Sequence, residues 1–287
     1  MTAAATIADD LLAIVDEIDK QLALPRVTQL WLPQSRDVPP KSAEFGALVL
    51  DDGSVGLLYV LLGDTLKRIG TLRSPADLVG ANPAELAHGF RASESAEKAL
   101  GLGAINAISQ HLLRASGCAL DTETNSMASF EPGPGDRIGM VGFFPRLVAK
   151  LRAQNVDLTV IELKPELVQD APRFRVTLDP AALQHCTRIL CTSTILLNDS
   201  LDPILAHCRQ AAHVAIIGPS AGYLPDPLFA RGVQTVGGHQ VVDTEAFLAH
   251  CEAEEKWSGS SRKYCLHRQS YPGYHALLKS AEKAAVR

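Results

Sequence analysis

The chain has no Cys-x-x-Cys pair. Its six cysteines, Cys118, Cys186, Cys191, Cys208, Cys251 and Cys265, are scattered through 287 residues. That scatter excludes the close ligand pairs of a structural zinc site. There is no basic run, and the formal net charge is −5. Both exclude a general nucleic-acid binder, which carries a basic face. No uninterrupted apolar stretch approaches the roughly 20 residues needed to cross a bilayer. Asp9 and Asp10 fall where a secretory leader would need its apolar core. The expectation is therefore a cytoplasmic protein with no membrane or nucleic-acid partner, its cysteines reduced and several of them in the core. The chain also lacks a complete Gly-x-Gly-x-x-Gly dinucleotide fingerprint and a Gly-x-Ser-x-Gly nucleophile elbow. The second absence argues against a serine hydrolase.

The composition is 46% hydrophobic and 21% charged, that of an ordinary globular protein. Residues 7–23 space their apolar side chains for one helix face, and strands are expected over 27–32, 45–50 and 55–61. Asp51-Asp52-Gly53-Ser54 between the last two reads as a hairpin turn. Ser74-Pro75 and Asn82-Pro83 read as N-caps followed by proline at the first helical position. A long helix is expected over 93–116, stopped by Gly117. It contains Gly101 and Gly103, which implies close packing against a neighbour.

Glu131-Pro-Gly-Pro-Gly-Asp136 is the best linker. Beyond it apolar strands alternate with helices. Strands are expected over 137–142, 158–162, 188–191 and 214–217, with a short one over 234–236. Helices are expected over 144–154, 200–210 and 244–255. This alternation implies a parallel sheet covered on both faces. The tail after Lys256 reads as polar, with a last helix over 274–285.

In such sheets ligands bind beyond the carboxyl ends of the strands, and there the sequence places small and polar residues. Gly142 and Phe143 occupy a strand-to-helix turn. Glu162 ends the next strand, where a dinucleotide fold keeps its ribose acid. A generic ligand contact, a metal ligand and an ion pair with Lys164 are alternative roles for it. Ser193, Thr194 and Asn198 offer hydroxyls and a carboxamide, which suit either a polar ligand or helix capping. Gly218, Pro219 and Ser220 end another strand, and Gly237-Gly238-His239 the last. Asn106, on the long helix, faces either a packed partner or a cleft. For a metal, the candidates are Glu162, Cys191 and His239, with Asp199 behind them, and imidazole and thiolate would suit a divalent transition metal.

Six segments together resemble one bacterial and archaeal family, described as "Putative heavy-metal chelation". They are Gly101-Leu-Gly-Ala-Ile-Asn-Ala-Ile, Ile138-Gly-Met-Val-Gly-Phe-Phe-Pro, Val160-Ile-Glu-Leu-Lys-Pro, Thr192-Ser-Thr-Ile-Leu-Leu-Asn-Asp-Ser-Leu, Ile217-Gly-Pro-Ser and Val236-Gly-Gly. The resemblance implies a smaller α+β domain like the amino-terminal domain of enolase over residues 1–130. It implies a Rossmann-like parallel-sheet domain over residues 131–287. It further implies an interdomain cleft that takes a small molecule or a metal complex. The chain departs from the family pattern at Thr192-Ser193-Thr194-Ile195, where members carry Thr-Gly-Thr-Thr or similar. The rival readings are an enzyme with a nucleotide-type cofactor in the Rossmann-like part and a non-catalytic small-molecule sensor. A homodimer is a candidate assembly.

Overall fold

The computed structural model describes residues 5–34, 44–72, 74–123, 132–257 and 259–285. The boundary expected between residues 130 and 131 lies outside them. Helix α1 (Ile7–Gln21) opens with a capping box in which Thr6 and Asp9 exchange hydrogen bonds. Its apolar stripe of Leu11, Leu12, Val15 and Ile18 is buried. Strands β1 (Val27–Trp31), β2 (Phe45–Leu50) and β3 (Val55–Tyr59) form an antiparallel sheet. The β2–β3 turn carries Gly53 at φ +79°, the positive φ that an Asp-Gly turn supplies cheaply.

β2 is buried throughout because both its faces are covered. Leu48 and Leu50 join the main core, while Ala47 and Val49 pack with Val241, Phe247 and Cys251. Helices α2 (Thr65–Leu72) and α3 (Pro83–Ala87) lead to α4 (Ser95–Ala115). Asn82 caps α3, and Ser74 caps the short 3-10 turn Pro75–Leu78.

α4 is the axle of the molecule. A Cβ on Gly101 would lie 2.2 Å from the Phe90 nitrogen, and one on Gly56 of β3 would lie 1.9 Å from the Gly103 carbonyl. The glycines let backbones touch, as the sequence implied.

Beyond the linker comes an eight-stranded sheet. Its elements are β4 (Arg137–Val141), α5 (Pro145–Ala153), β5 (Asp157–Ile161), β6 (Gln169–Ala171), β7 (Phe174–Thr177), β8 (Arg188–Thr192), α6 (Leu201–Ala206), β9 (His213–Ile217), α7 (Asp226–Ala230), β10 (Thr235–Val241), α8 (Thr244–Glu252), β11 (Ser261–His267) and α9 (Tyr274–Ala285). The strand order is β11-β10-β9-β8-β4-β5-β7-β6. Only the edge strands β6 and β11 pair antiparallel. The six central strands are parallel, and their order along the sheet is the doubly wound Rossmann order. The fold is thus α/β, a Rossmann-like sheet preceded by a smaller α+β portion.

One face of the sheet packs on α5 through Met140, Leu147, Leu151 and Val160. The other joins the core that contains α1 and α4. Among the described residues no helix is long and apolar enough to cross a membrane.

Two expectations need correction. The strand expected over 234–236 continues to Val241, because β11 pairs with it over its whole length. His239 therefore sits inside a strand and not at its end. The tail after Lys256 is likewise not merely polar before its helix, since β11 is built into the sheet.

Candidate ligand site

Two neighbouring polar layers gather at the carboxyl edge of the large sheet. The first surrounds a cavity of about 220 Å³ at the ends of β4, β5 and β8, the point where the strand order reverses. Gly142 lies at its floor with φ +87°, and a Cβ there would stand 3.0 Å from the Thr192 methyl. The turn has to be glycine on both counts.

Glu162 braces the same turn. Its Oε2 accepts the Phe143 N–H at 3.0 Å and its Oε1 the Leu163 N–H at 2.7 Å. The Thr192 and Thr194 hydroxyls are 3.1 Å apart. Asn198 Oδ1 accepts from the Ser200 N–H at 3.2 Å and from its hydroxyl at 2.6 Å. Thr192 itself caps the short turn Ser193–Leu196, so capping and pocket lining are served by neighbouring residues.

Leu163 and Leu178 line the pocket while 68% and 47% exposed. Apolar side chains left open at the rim of a cavity that also holds a few polar groups are what a small organic ligand covers. Tyr59 of the antiparallel sheet stands close by: burial raises its hydroxyl pKa, and the Glu44 and Glu162 carboxylates push it further.

The polar side chains of the second layer, Asn106, Gln110, Ser193 and Ser220, are buried. The Ser193 and Ser220 hydroxyls meet at 2.9 Å, and Asn106 donates to the Leu57 carbonyl at 2.8 Å and the Ser220 carbonyl at 2.9 Å. One α4 side chain thus ties β3 of the small sheet to the loop that follows β9. Gln110 donates to the Gly222 carbonyl and the Tyr264 hydroxyl, both at 2.9 Å. Gly218 makes room for Ser193, whose Oγ would lie 2.2 Å from a Cβ at that position. Gly238 makes room for the Ala221 carbonyl, which would lie 2.5 Å from a Cβ there.

Of the residues expected at the site, Gly142, Glu162, Thr194 and Asn198 line the pocket, with Phe143 in its turn. Asn106, Ser193, Gly218, Ser220 and Gly238 belong to the second layer, with Pro219 half-buried between two of them. Gly142, Phe143, Glu162, Ser193, Thr194, Gly218, Pro219 and Ser220 follow the carboxyl ends of their strands, whereas Gly238 lies inside β10 and Asn106 comes from α4.

Sequence reasoning missed Tyr59, Leu163, Leu178 and Lys98. Lys98, on α4, is nearly buried and pairs with Asp199 at 2.5 Å, next to Asn198. Asp199 holds φ +56°, a left-handed conformation that Asp tolerates better than most residues. The only sequence hint was that an acid followed the pocket asparagine.

The family models bear on residues 43–109 and 125–268. The first segment matches DUF4213 and the second DUF364, and both are described as "Putative heavy-metal chelation". The chain belongs to the DUF364 family. A crystal structure of a DUF364 protein from Pyrococcus horikoshii superposes with TM-score 0.67 at 19% identity, covering 91% of this chain and all of that one. One from Desulfitobacterium hafniense gives 0.67 at 20%, with the same coverages. Both were solved as proteins of unknown function, and at these identities they establish the fold. An uncharacterized protein of Methanocaldococcus jannaschii is 25% identical over 176 residues, 59% of this chain. The match spans 66% of that relative's length.

The DUF364 description raises the question of a metal, and the donor set does not fit one held by protein ligands. Among the described residues no group of three or more His, Cys, Asp or Glu could hold an ion. Glu162 is the pocket's one carboxylate and is engaged by two backbone amides. Cys191 is fully buried, and burial, with Cys208 beside it, drives its thiol well above the ordinary range, away from the thiolate a metal needs. His239 is held neutral, its pKa lowered to about 4 by burial and by Lys263, but it faces Trp257 at 6.0 Å rather than a second ligand.

Proposed function

We propose that this DUF364 protein binds a small polar organic molecule at the β4–β5–β8 strand ends, and that any heavy metal it handles arrives already held by that molecule. The convergence of Gly142, Glu162, Thr194 and Asn198 on one cavity with an open apolar rim carries this reading. A metal complex needs hydrogen-bond acceptors, hydroxyls and apolar contact from its receptor, all of which the pocket has. An aqua ion needs several anionic or imidazole ligands, and the pocket has one carboxylate.

The same reading keeps residues 1–130 as a unit of the enolase amino-terminal type. Its Tyr59 would close the pocket from the side of the small sheet. The location is cytoplasmic in this proposal.

Thermal melting with Ni²⁺ or Cu²⁺, free and as citrate or histidine complexes, tests the proposal. The complexes should raise the melting temperature, free ions should not, and Glu162→Ala should abolish the rise. Equal stabilisation by the free ion, untouched by Glu162→Ala, would refute it.

A further inference from the structure

The pocket's chemistry narrows its ligand further, on the premise that the pocket binds an organic molecule. Glu162 ends the second strand of the Rossmann order, the position from which an acid reaches ribose hydroxyls. Each of its oxygens accepts one backbone N–H. A carboxylate offers about four lone-pair sites, so each oxygen can still accept one more hydrogen. Two adjacent hydroxyls supply two such donors at matching spacing. Beside the acid stand Leu163, Leu178 and Pro180, two of them widely exposed. That is an apolar surface for a flat ring next to a diol acceptor.

Part of the turn that would hold a pyrophosphate is already committed. The Gly142 N–H goes to the Ile161 carbonyl at 2.9 Å. The Phe143 N–H goes to Glu162. Pro145, the first residue of α5, has no N–H to give. The cavity of about 220 Å³ is also below the usual range of roughly 300–1,000 Å³ for cofactor pockets.

We infer that the pocket recognises a ribonucleoside moiety without a pyrophosphate: the 2′,3′-diol on Glu162 and the base against Leu163 and Leu178. A full dinucleotide would find the ribose acid but a turn in which Gly142, Phe143 and Pro145 have no N–H to give its phosphates.

Titration of the ¹⁵N-labelled full chain with adenosine, 2′-deoxyadenosine and ADP, followed by amide shifts, tests it. Adenosine should move the amides of Leu163, Thr194 and Asn198. Loss of a hydrogen bond to a charged group should weaken 2′-deoxyadenosine about tenfold or more. ADP should bind no more tightly than adenosine. In Glu162→Gln, adenosine should weaken by a similar factor, and the gap between adenosine and its deoxy analogue should shrink. The comparison of the two nucleosides on the wild-type chain needs no variant, so it stands even if Glu162→Gln folds poorly.

Unmoved pocket amides with adenosine, or equal affinity for the deoxy form, would overturn the inference. If nickel citrate then shifted the same amides, the pocket reading would survive without the nucleoside. If neither did, both would fall.

Discussion

Replacing Gly56 by alanine should be among the most damaging single-methyl changes in this protein. The added Cβ would meet the Gly103 carbonyl oxygen at 1.9 Å, the Ala107 nitrogen at 2.5 Å and the Ala107 Cα at 3.0 Å. All three are backbone atoms of α4, so no rotamer change relieves the clash. β3 and α4 must separate, and Asn106, one turn along, would then lose its 2.8 Å bond to the Leu57 carbonyl. Overpacking costs about 1–3 kcal/mol, occasionally more, and a lost buried hydrogen bond adds about 1 kcal/mol. The expected loss is thus about 3 kcal/mol or more.

Gly103→Ala on the facing helix is the control. The three atoms nearest its Cβ would be Leu58 side-chain atoms, the closest at 3.2 Å, and these can give. It also gains about 1 kcal/mol of helix propensity, so its net effect should lie within about 1 kcal/mol of zero. Urea unfolding of both variants measures the difference. A Gly56→Ala midpoint matching wild type, or equal losses in the two variants, would refute the placement of α4 against β3.

Two further outcomes follow from charged groups. His239 titrates at about 4 in the fold against an ordinary 6.5. The unfolded chain therefore binds more protons between those values, and stability falls as pH drops below about 6.5, by about 2–3 kcal/mol near pH 4. His239→Gln should flatten that slope in melting curves taken from pH 7 to 4; an unchanged slope would show that other groups carry it. Asp199→Asn should cost about 1–2 kcal/mol by leaving the nearly buried Lys98 ammonium without its carboxylate. Lys98→Met in that background should recover most of the loss, whereas an additive double variant would show that the two side chains do not act as a pair.

The parallel sheet was legible because its central strands are apolar runs bounded by turn residues. β4, β5, β8 and β9 are buried along most of their length. β11 was not legible. As an edge strand it exposes Arg262 and Lys263 and buries only Tyr264, Cys265 and Leu266, a pattern that reads as loop. β6 and β7 hid because they are short and carry Asp170 and Arg175 at exposed positions.

In the site, the strand-end rule found the edge, and with it Gly142, Glu162, Thr194 and Asn198. It could not separate the open pocket from the buried layer of Asn106, Ser193 and Ser220, since both draw small polar residues from the same edge. Nor could it find Leu163 and Leu178, because an exposed leucine has meaning only once the cavity beside it is seen. Lys98 and Asp199 lie 101 positions apart in the chain, and nothing local joins them.

Equilibrium dialysis of the metal-free chain against Zn²⁺, Cu²⁺, Ni²⁺ and Cd²⁺, with the bound metal read by elemental analysis, tests the central claim most directly. With one carboxylate in the pocket and, among the described residues, no group of three or more His, Cys, Asp or Glu that could hold an ion, the folded chain should retain no stoichiometric ion unless a small chelating molecule is added. Retention of one ion per chain without such a molecule, abolished by Glu162→Ala, would contradict the account.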